Sequence, residues 1–242
     1  MKIQSKFNQK GVTLIELLVA LVIAAITLAG VYRVFISQTR NYAVQDQVME
    51  VQQSVRGAME MLLRDLRMTG FDDDNSKSVE AGISVPIPLV TPVQASDITI
   101  NYEYYRRNDA ITDETQKYER HQVRYWRDAG TSRLLRQVTV TTKTGTVAGS
   151  SEIILENVNA LTLTYGVDRD NDGIMDDQNA NGQIDNNDWR TAAQVVALGN
   201  PKVVAISVSL TGRSDQTNTD VAKVISPRTL VSAVTLRNLS LR

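Results

Sequence analysis

Cysteine is absent from this 242-residue chain, which excludes disulfide bracing, thiolate metal sites and thiol catalysis while leaving an oxidising compartment open. Histidine occurs once, at His121, so multi-histidine metal centres and most histidine-based triads cannot be assembled within one chain. A basic excess is also lacking. The 26 Lys+Arg and 27 Asp+Glu leave a net charge of −1, which gives nucleic acid no electrostatic footprint. Three lysines and no acid lie in the first eleven residues, and without these the balance would be 23 bases against 27 acids, a net of −4. Proline is scarce and unevenly placed. None occurs between Val12 and Met68, whereas "SVPIPLVTPV" (84–93) holds three of the five and reads as loop or edge strand. No nucleophile–base pair and no phosphate-binding glycine loop is found, so the chain is expected not to be an enzyme.

What the sequence does contain begins with an apolar run. From Val12 to Val31 the only polar side chains are Thr13, Glu16 and Thr27. Twenty helical residues rise about 30 Å, the thickness of a bilayer core. Lys2, Lys6 and Lys10 precede the run, so the positive-inside rule puts the N-terminus in the cytoplasm and the rest outside. Glu16 is the anomaly, since a carboxylate at membrane depth costs about 2.5–3.5 kcal/mol on insertion scales. A secretory signal peptide has a shorter apolar core and no acid within it. A plain single-pass anchor supplies no partner for the acid.

"KGVTLIELLVALVI" resembles the prepilin signal of type IV pilins and type II secretion pseudopilins: a basic leader ending in glycine, then a glutamate at the fifth mature position within a long apolar helix. Val12 stands where the family usually has phenylalanine. The resemblance implies cleavage between Gly11 and Val12 by a prepilin peptidase and N-methylation of Val12. It also gives Glu16 a role in assembly. Cleavage creates an α-amine on Val12, and pairing a buried cation with a buried carboxylate offsets much of the penalty each carries alone. In this family the glutamate is thought to meet the amine of a neighbouring subunit, so a wrong axial stagger leaves both charges unpaired.

Beyond Phe35 the composition turns polar but the helical period continues. Val44, Val48, Val51, Val55, Ala58/Met59, Leu62 and Leu66 recur at steps of three and four, which predicts an amphipathic helix. It is expected to stop at "MTGF" with Gly70 as the C-terminal cap. Some 57 residues make roughly 85 Å of helix, too long for a small domain, so the first half must project. The stripe needs a cover, supplied by downstream strands or by a coiled-coil partner.

Five runs rich in β-branched and aromatic residues predict strands at 97–105, 121–128, 134–142, 160–167 and 202–210, with a weaker sixth at 230–239. "DAGTSR" is a hairpin turn. The expected class is α+β: a pilin-like long N-terminal helix packed on an antiparallel β-sheet domain. The expected organisation is a leader (1–11), a transmembrane and filament-core helix (12–35), an amphipathic helix (36–70) and a β-rich head (71–242) with an inserted loop at 168–188. "LLRDLRMTGF", "KVVAISVSLTGRS" and the terminal "VTLRNLSLR" resemble PilW-like minor pilins and the related type II secretion pseudopilin J. The family's frequent cysteines are missing.

The inserted loop is the second specific signal. In "DRDNDGIMDDQNANGQIDNND", Asp168, Asp170, Asp172, Gly173 and Asp176 fit positions 1, 3, 5, 6 and 9 of an EF-hand-like loop. Nine residues on, Asp177, Asn179, Asn181, Gly182 and Asp185 repeat the spacing, with Asp188 at position 12. Hard oxygen donors at alternate positions with a glycine turn let one loop wrap a cation, and calcium is the expected structural cofactor. The first loop would also use the Ile174 carbonyl and Asn179. The pattern resembles dockerin-like and thrombospondin type 3 calcium loops more than a true EF-hand. The alternative is a solvated loop, because Asp, Asn and Gly also dominate ordinary turns.

Other features have plainer readings. His121 reads as a surface or hairpin residue, "EYYRRN" (103–108) as strand alternation rather than a nucleic-acid platform, and Trp126 and Trp189 as core or lid residues. The resemblance implies a minor pilin processed at the inner membrane and joining major and minor pilins in a priming complex at the tip of a pilus or cell-surface filament. It also implies partnership with the prepilin peptidase and the inner-membrane assembly platform. Pseudopilin J is the alternative in the same architecture. A permanently anchored calcium-binding adhesin, with Gly11 uncut, is the alternative of a different class.

Overall fold

The computed structural model describes residues 11–72, 90–94, 96–106, 110–113, 117–199, 201–214 and 226–240. The leader lysines, residues 84–89 and the end of "EYYRRN" lie outside them. The chain divides into two compact units, Met1–Gln47 and Val48–Arg242. Helix α1 (Leu14–Arg67) is continuous through both.

In the first unit the helix is apolar and its side chains are exposed, Leu14, Leu21, Ile26, Leu28 and Phe35 among them. It is long and apolar enough to cross a membrane. In the second unit Val48 is half-buried and the stripe is buried from Val51 onward through Val55, Ala58, Met59, Leu62, Leu63 and Leu66. Leu62 and Leu66 have no exposed surface, and each such side chain contributes about 1.5–3 kcal/mol by burial. The stripe is covered by the strands of its own unit, which removes the need for a coiled-coil partner.

The helix ends as the sequence predicts, and its last carbonyls find partners both locally and from the far end of the chain. Met68 and Thr69 N–H close tight turns onto the Asp65 and Leu66 carbonyls at 3.0 and 3.1 Å. Gly70 then takes a left-handed φ of 72°, which a side chain would resist. Its N–H donates to the Asn101 carbonyl at 2.9 Å, tying the helix end to a strand. From the far end of the chain, Asn238 Nδ2 donates to the Arg67 and Thr69 carbonyls, both at 3.2 Å.

Among the described residues every pairing of named strands is antiparallel, and one isolated bridge, Asp72 to Glu103, is parallel. Strands β1 (Val90–Gln94), β2 (Asp97–Tyr105), β3 (Tyr118–Asp128), β4 (Arg133–Thr142) and β5 (Gly145–Ala148) form one sheet in that order, with β6 (Glu152–Leu155) on β4 beside β5. Strands β7 (Val158–Asp168), β8 (Lys202–Gly212) and β9 (Arg228–Thr235) form a second sheet with β8 central. The expected antiparallel β-sheet domain is present, built as two sheets. All five main predicted strands are present; that at 97–105 has the predicted bounds and the other four extend by one to three residues. Residues 90–93 are edge strand. The sixth run is cut short at Thr235, because Leu236 is fully buried and helix α3 (Arg237–Ser240) follows. Strands β5 and β6 and helix α2 (Ala192–Ala197) were not foreseen; the Thr191–Gln194 capping box that opens α2 is the signal that marks it.

Two glycines allow close approach. At Gly212 an added Cβ would lie 2.5 Å from Val55 Cγ2, so the missing side chain lets α1 sit against the end of β8. At Gly166 it would lie 2.5 Å from Met175 Sδ, where the inserted loop folds back on β7. The helix is also fixed by a buried polar contact. Asp65 on α1, 5% exposed, accepts from Tyr125 Oη at 2.7 Å and Arg136 Nε at 2.9 Å.

Candidate functional site

Two regions carry the candidate site residues. At the N-terminus, Gly11 and Val12 precede α1 and are exposed. Thr13 N–H and Thr13 Oγ1 both donate to Glu16 Oε2 at 2.9 Å, and Glu16 N–H donates back to Thr13 Oγ1 at 3.4 Å. This reciprocal pattern is a capping box, which satisfies donors that a helix start leaves orphaned and sets a carboxylate against the positive end of the helix dipole. Reading the sequence for membrane cost missed it, although T-x-x-E was its signal. Both atoms of the box lie on the mature side of the Gly11–Val12 bond, so the box does not depend on the leader.

The second region is the loop that leaves β7 at Asp168 and returns at Arg190. Its two ends are tied together. Tyr165 and Arg190 exchange two backbone hydrogen bonds of 2.8 Å, and Asp176 N–H donates to the Val167 carbonyl at 2.9 Å. Lys202 Nζ lies 3.8 Å from Asp168 Oδ2 and donates to Asn171 Oδ1 at 3.2 Å.

Within the loop the nine-residue repeat in sequence is also a repeat in conformation. The fourth position is left-handed in both copies, Asn171 at φ 65° and Ala180 at 55°. The sixth is left-handed glycine in both, Gly173 at 85° and Gly182 at 82°. The first carboxylate accepts from the glycine N–H in each copy, Asp168 from Gly173 and Asp177 from Gly182. The third and fifth side chains each accept from the N–H two residues on: Asp170 and Asp172 in the first copy, Asn179 and Asn181 in the second. Such bonds turn the backbone while aiming the remaining oxygens to one side.

The structure brings some of the candidate ligands together and not others. Asp168, Asp170 and Asp176 each place a carboxylate oxygen within 4.8 Å of the others. All are hard oxygen donors, the set that suits calcium or magnesium rather than a softer metal. Asp172 is occupied by the Ile174 N–H, and Ile174 has an exposed side chain. In the second copy Asp177, Asp185 and Asp188 form no such group among the described residues. Asp185 accepts from Asn179, Asn181 and the Asn187 N–H, and the last of these does most to hold its carboxyl below the ordinary value. Asp188 is fully buried, and its two oxygens take the Gln178 and Asp185 N–H at 2.8 and 2.7 Å.

The remaining singled-out residues are structural. His121 is half-buried and stacks on Tyr102 with ring centroids 5.3 Å apart and planes within 8°; burial pushes its pKa down. Trp126 lies under the Arg124 guanidinium at 4.7 Å, and that guanidinium also forks onto Asp97. Trp189 is a wall residue of a cleft beside β8 and β9.

Residues 6–32 match the family model of the prokaryotic N-terminal methylation motif. With the long apolar helix leading into antiparallel sheets, that match defines the class as type IV pilin-like. Residues 123–235, which run from β3 through the inserted loop to the end of β9, match the model of Type IV Pilus-assembly protein W. Together the two matches support a type IV pilin-like minor pilin. No characterised protein and no solved structure matches it. The families matched are structural rather than enzymatic, and pilus assembly implies contact with other pilins and the assembly machinery. The apolar helix and prepilin motif fit an inner-membrane anchor.

Proposed function

We propose that this chain is a minor pilin that helps initiate filament assembly at the pilus tip, and that it acts by packing rather than catalysis. The observation that carries the reading is the methylation-motif match over residues 6–32 on a helix whose first unit is exposed and apolar. In the bilayer that surface is solvated by lipid; in a filament it is covered by other pilin helices. A prepilin peptidase cuts between Gly11 and Val12, Val12 is methylated, and an inner-membrane platform extracts the subunit. Glu16 then has two successive partners. Thr13 holds Oε2 while the subunit is alone, and the α-amine of a neighbouring Val12 pairs with the carboxylate on incorporation.

The acidic loop is proposed to bind calcium as a structural cofactor. Asp168, Asp170 and Asp176 would hold the ion, with the spacing adding Asp172, the Ile174 carbonyl and Asn179. The second copy would use Asp177, Asn181, Asp185 and Asp188. The bound ion neutralises carboxylates that otherwise repel one another and orders a long insertion without disulfides. A type II secretion pseudopilin J shares the architecture, and system identity lies in subunit surfaces.

Mass spectrometry of the N-terminus of the membrane-expressed chain tests the processing. A methylated Val12 start is expected, and an intact Met1 would establish a permanent anchor instead. Gly11→Ala is expected to block cleavage. Glu16→Ala is expected to be cleaved normally but to be depleted from sheared filaments; normal incorporation would remove the role given to Glu16.

A further inference from the structure

A sheet edge carries unpaired backbone donors and acceptors, and among the described residues most edges of this head are blunted in the ways natural edges are. Strand β1 contains Pro92, which has no N–H, and its register on β2 shifts between Thr91 and Gln94. Strands β5 and β6 are four residues each. The free side of β7 is taken up by other backbone: Val158 N–H donates to the Ser132 carbonyl at 2.7 Å, and Tyr165 is held by Arg190. Strand β9 has none of these devices. It runs eight residues in unbroken register on β8, holds no proline within its bounds, and carries its single charge, Arg228, at the first position.

Which groups β9 leaves open follows from its hydrogen bonding. Leu236 N–H donates to the Val204 carbonyl at 2.7 Å, one step beyond the pairing of Thr235 with Ala205. Backbone groups alternate sides along an antiparallel strand. Leu230, Ser232 and Val234 therefore bond to β8, while Thr229, Val231, Ala233 and Thr235 turn N–H and C=O outward. None of these four has a backbone partner on that side among the described residues. Their side chains are exposed, Val231 by 62%. The row spans about 20 Å, and its spacing of donors and acceptors matches a chain that is itself extended. An incoming strand meets Thr229, Val231, Ala233 and Thr235 on one face and Leu230, Ser232 and Val234 on the other, so a charge at its centre finds no counter-charge. Around the edge the charge has one sign: from Ser226 to Ser240 there are two arginines, Arg228 and Arg237, at either end of the strand, and no acid. We propose that the β9 edge docks an extended segment of another protein subunit, uncharged at its centre and acidic at its ends. This is β-strand addition, in which main-chain hydrogen bonds give affinity and the flanking charges suppress wrong partners. It goes beyond the pilus-assembly reading, which rests on the N-terminal helix and stands or falls separately.

The test uses the full-length chain in detergent micelles and the synthetic peptide DTVTVTVD, acetylated and amidated. Amide exchange is followed residue by residue with and without the peptide. Several-fold slowing is expected at Val231 and Ala233, with Leu230, Ser232 and Val234 already protected and unchanged. The analogue DTVPPTVD, which lacks N–H groups at its centre, is expected to protect nothing, and KTVTVTVK to protect several-fold less. Val231→Pro removes an outward N–H without touching the β8 ladder. It is expected to keep Ser232 protected and to abolish the effect of the peptide at Ala233. No slowing, equal slowing at outward and inward positions, or equal action by either control peptide would each overturn the proposal, as would a Val231→Pro chain that still responds. Should Val231→Pro loosen Ser232, the parent chain and the three peptides decide alone.

Discussion

Asp65 shows how one carboxylate can fix a helix on a sheet. It sits on the buried side of α1 with Tyr125 Oη and Arg136 Nε on its Oδ2, and Arg136 reaches on to Glu152 at 3.4 Å. Asp65→Ala leaves the Arg136 cation with little compensation, so a loss of about 3–5 kcal/mol is expected in urea denaturation of the detergent-solubilised chain. Tyr125→Phe removes one charged hydrogen bond and is expected to cost about 1.5–3 kcal/mol. Glu103 is the opposite case. It is 1% exposed, neither carboxylate oxygen has a hydrogen-bond partner among the described residues, and burial raises its pKa, opposed by Arg120 and reinforced by Asp72. A raised folded pKa means the folded state holds the proton more tightly. This contribution is present below the ordinary value of 4.5 and is lost as pH rises through the folded value. Glu103→Gln is therefore expected to raise Tm at neutral pH, with the gain vanishing as pH falls below 4.5. Neither residue was legible in the sequence. Asp65 lies among arginines at a helix end and looks like surface, and its partners are 60 and 71 residues away. Glu16 was noticed for its burial cost, yet its bond to Thr13 is purely local.

At the scale of elements, periodicity was a sufficient guide wherever one side of an element is buried. The α1 stripe and the strands at 97–105, 121–128 and 202–210 fall where alternation or the helical step places them. Strands β5 and β6 escaped because "GTVAGSSEIIL" lacks that contrast: β5 is exposed along its whole length and β6 over half of it. The acidic loop was legible for a different reason, since its backbone is set by local Asx bonds and glycines rather than by tertiary contact. Glycine substitutions separate the two kinds of constraint. Gly212→Ala drives a methyl into Val55 and is expected to cost about 1–3 kcal/mol of global stability. Gly173→Ala and Gly182→Ala instead force alanine into left-handed backbone, about 1–2 kcal/mol each. Their expected signature is faster amide exchange confined to residues 168–190, with the core protected.

For the whole molecule, calcium is the variable to change. If the ion binds only the folded loop, stability rises as RT ln(1 + [Ca²⁺]/Kd), about 2.7 kcal/mol at a hundredfold excess over Kd. Calcium is expected to raise Tm of the full chain and a chelator to reverse the rise. Asp168→Asn with Asp170→Asn is expected to remove the first copy's share of the response, while Asp188→Asn is expected to destabilise the loop even without calcium, since its carboxylate staples Gln178 and Asp185. A Tm indifferent to calcium would reduce the loop to a set of Asx turns.

Strand β8 gives the head a path for load. One end pairs Lys202 with Asp168 at the mouth of the acidic loop, and the other end, Gly212, presses on Val55 of the helix. Eleven residues of strand separate the two ends by about 36 Å. Tension directed along β8 would be shared by the ladders to β7 and β9 in shear, where many hydrogen bonds must break together. Load directed along β8 would therefore meet the head where it is strongest, with the acidic loop at the far end of the strut.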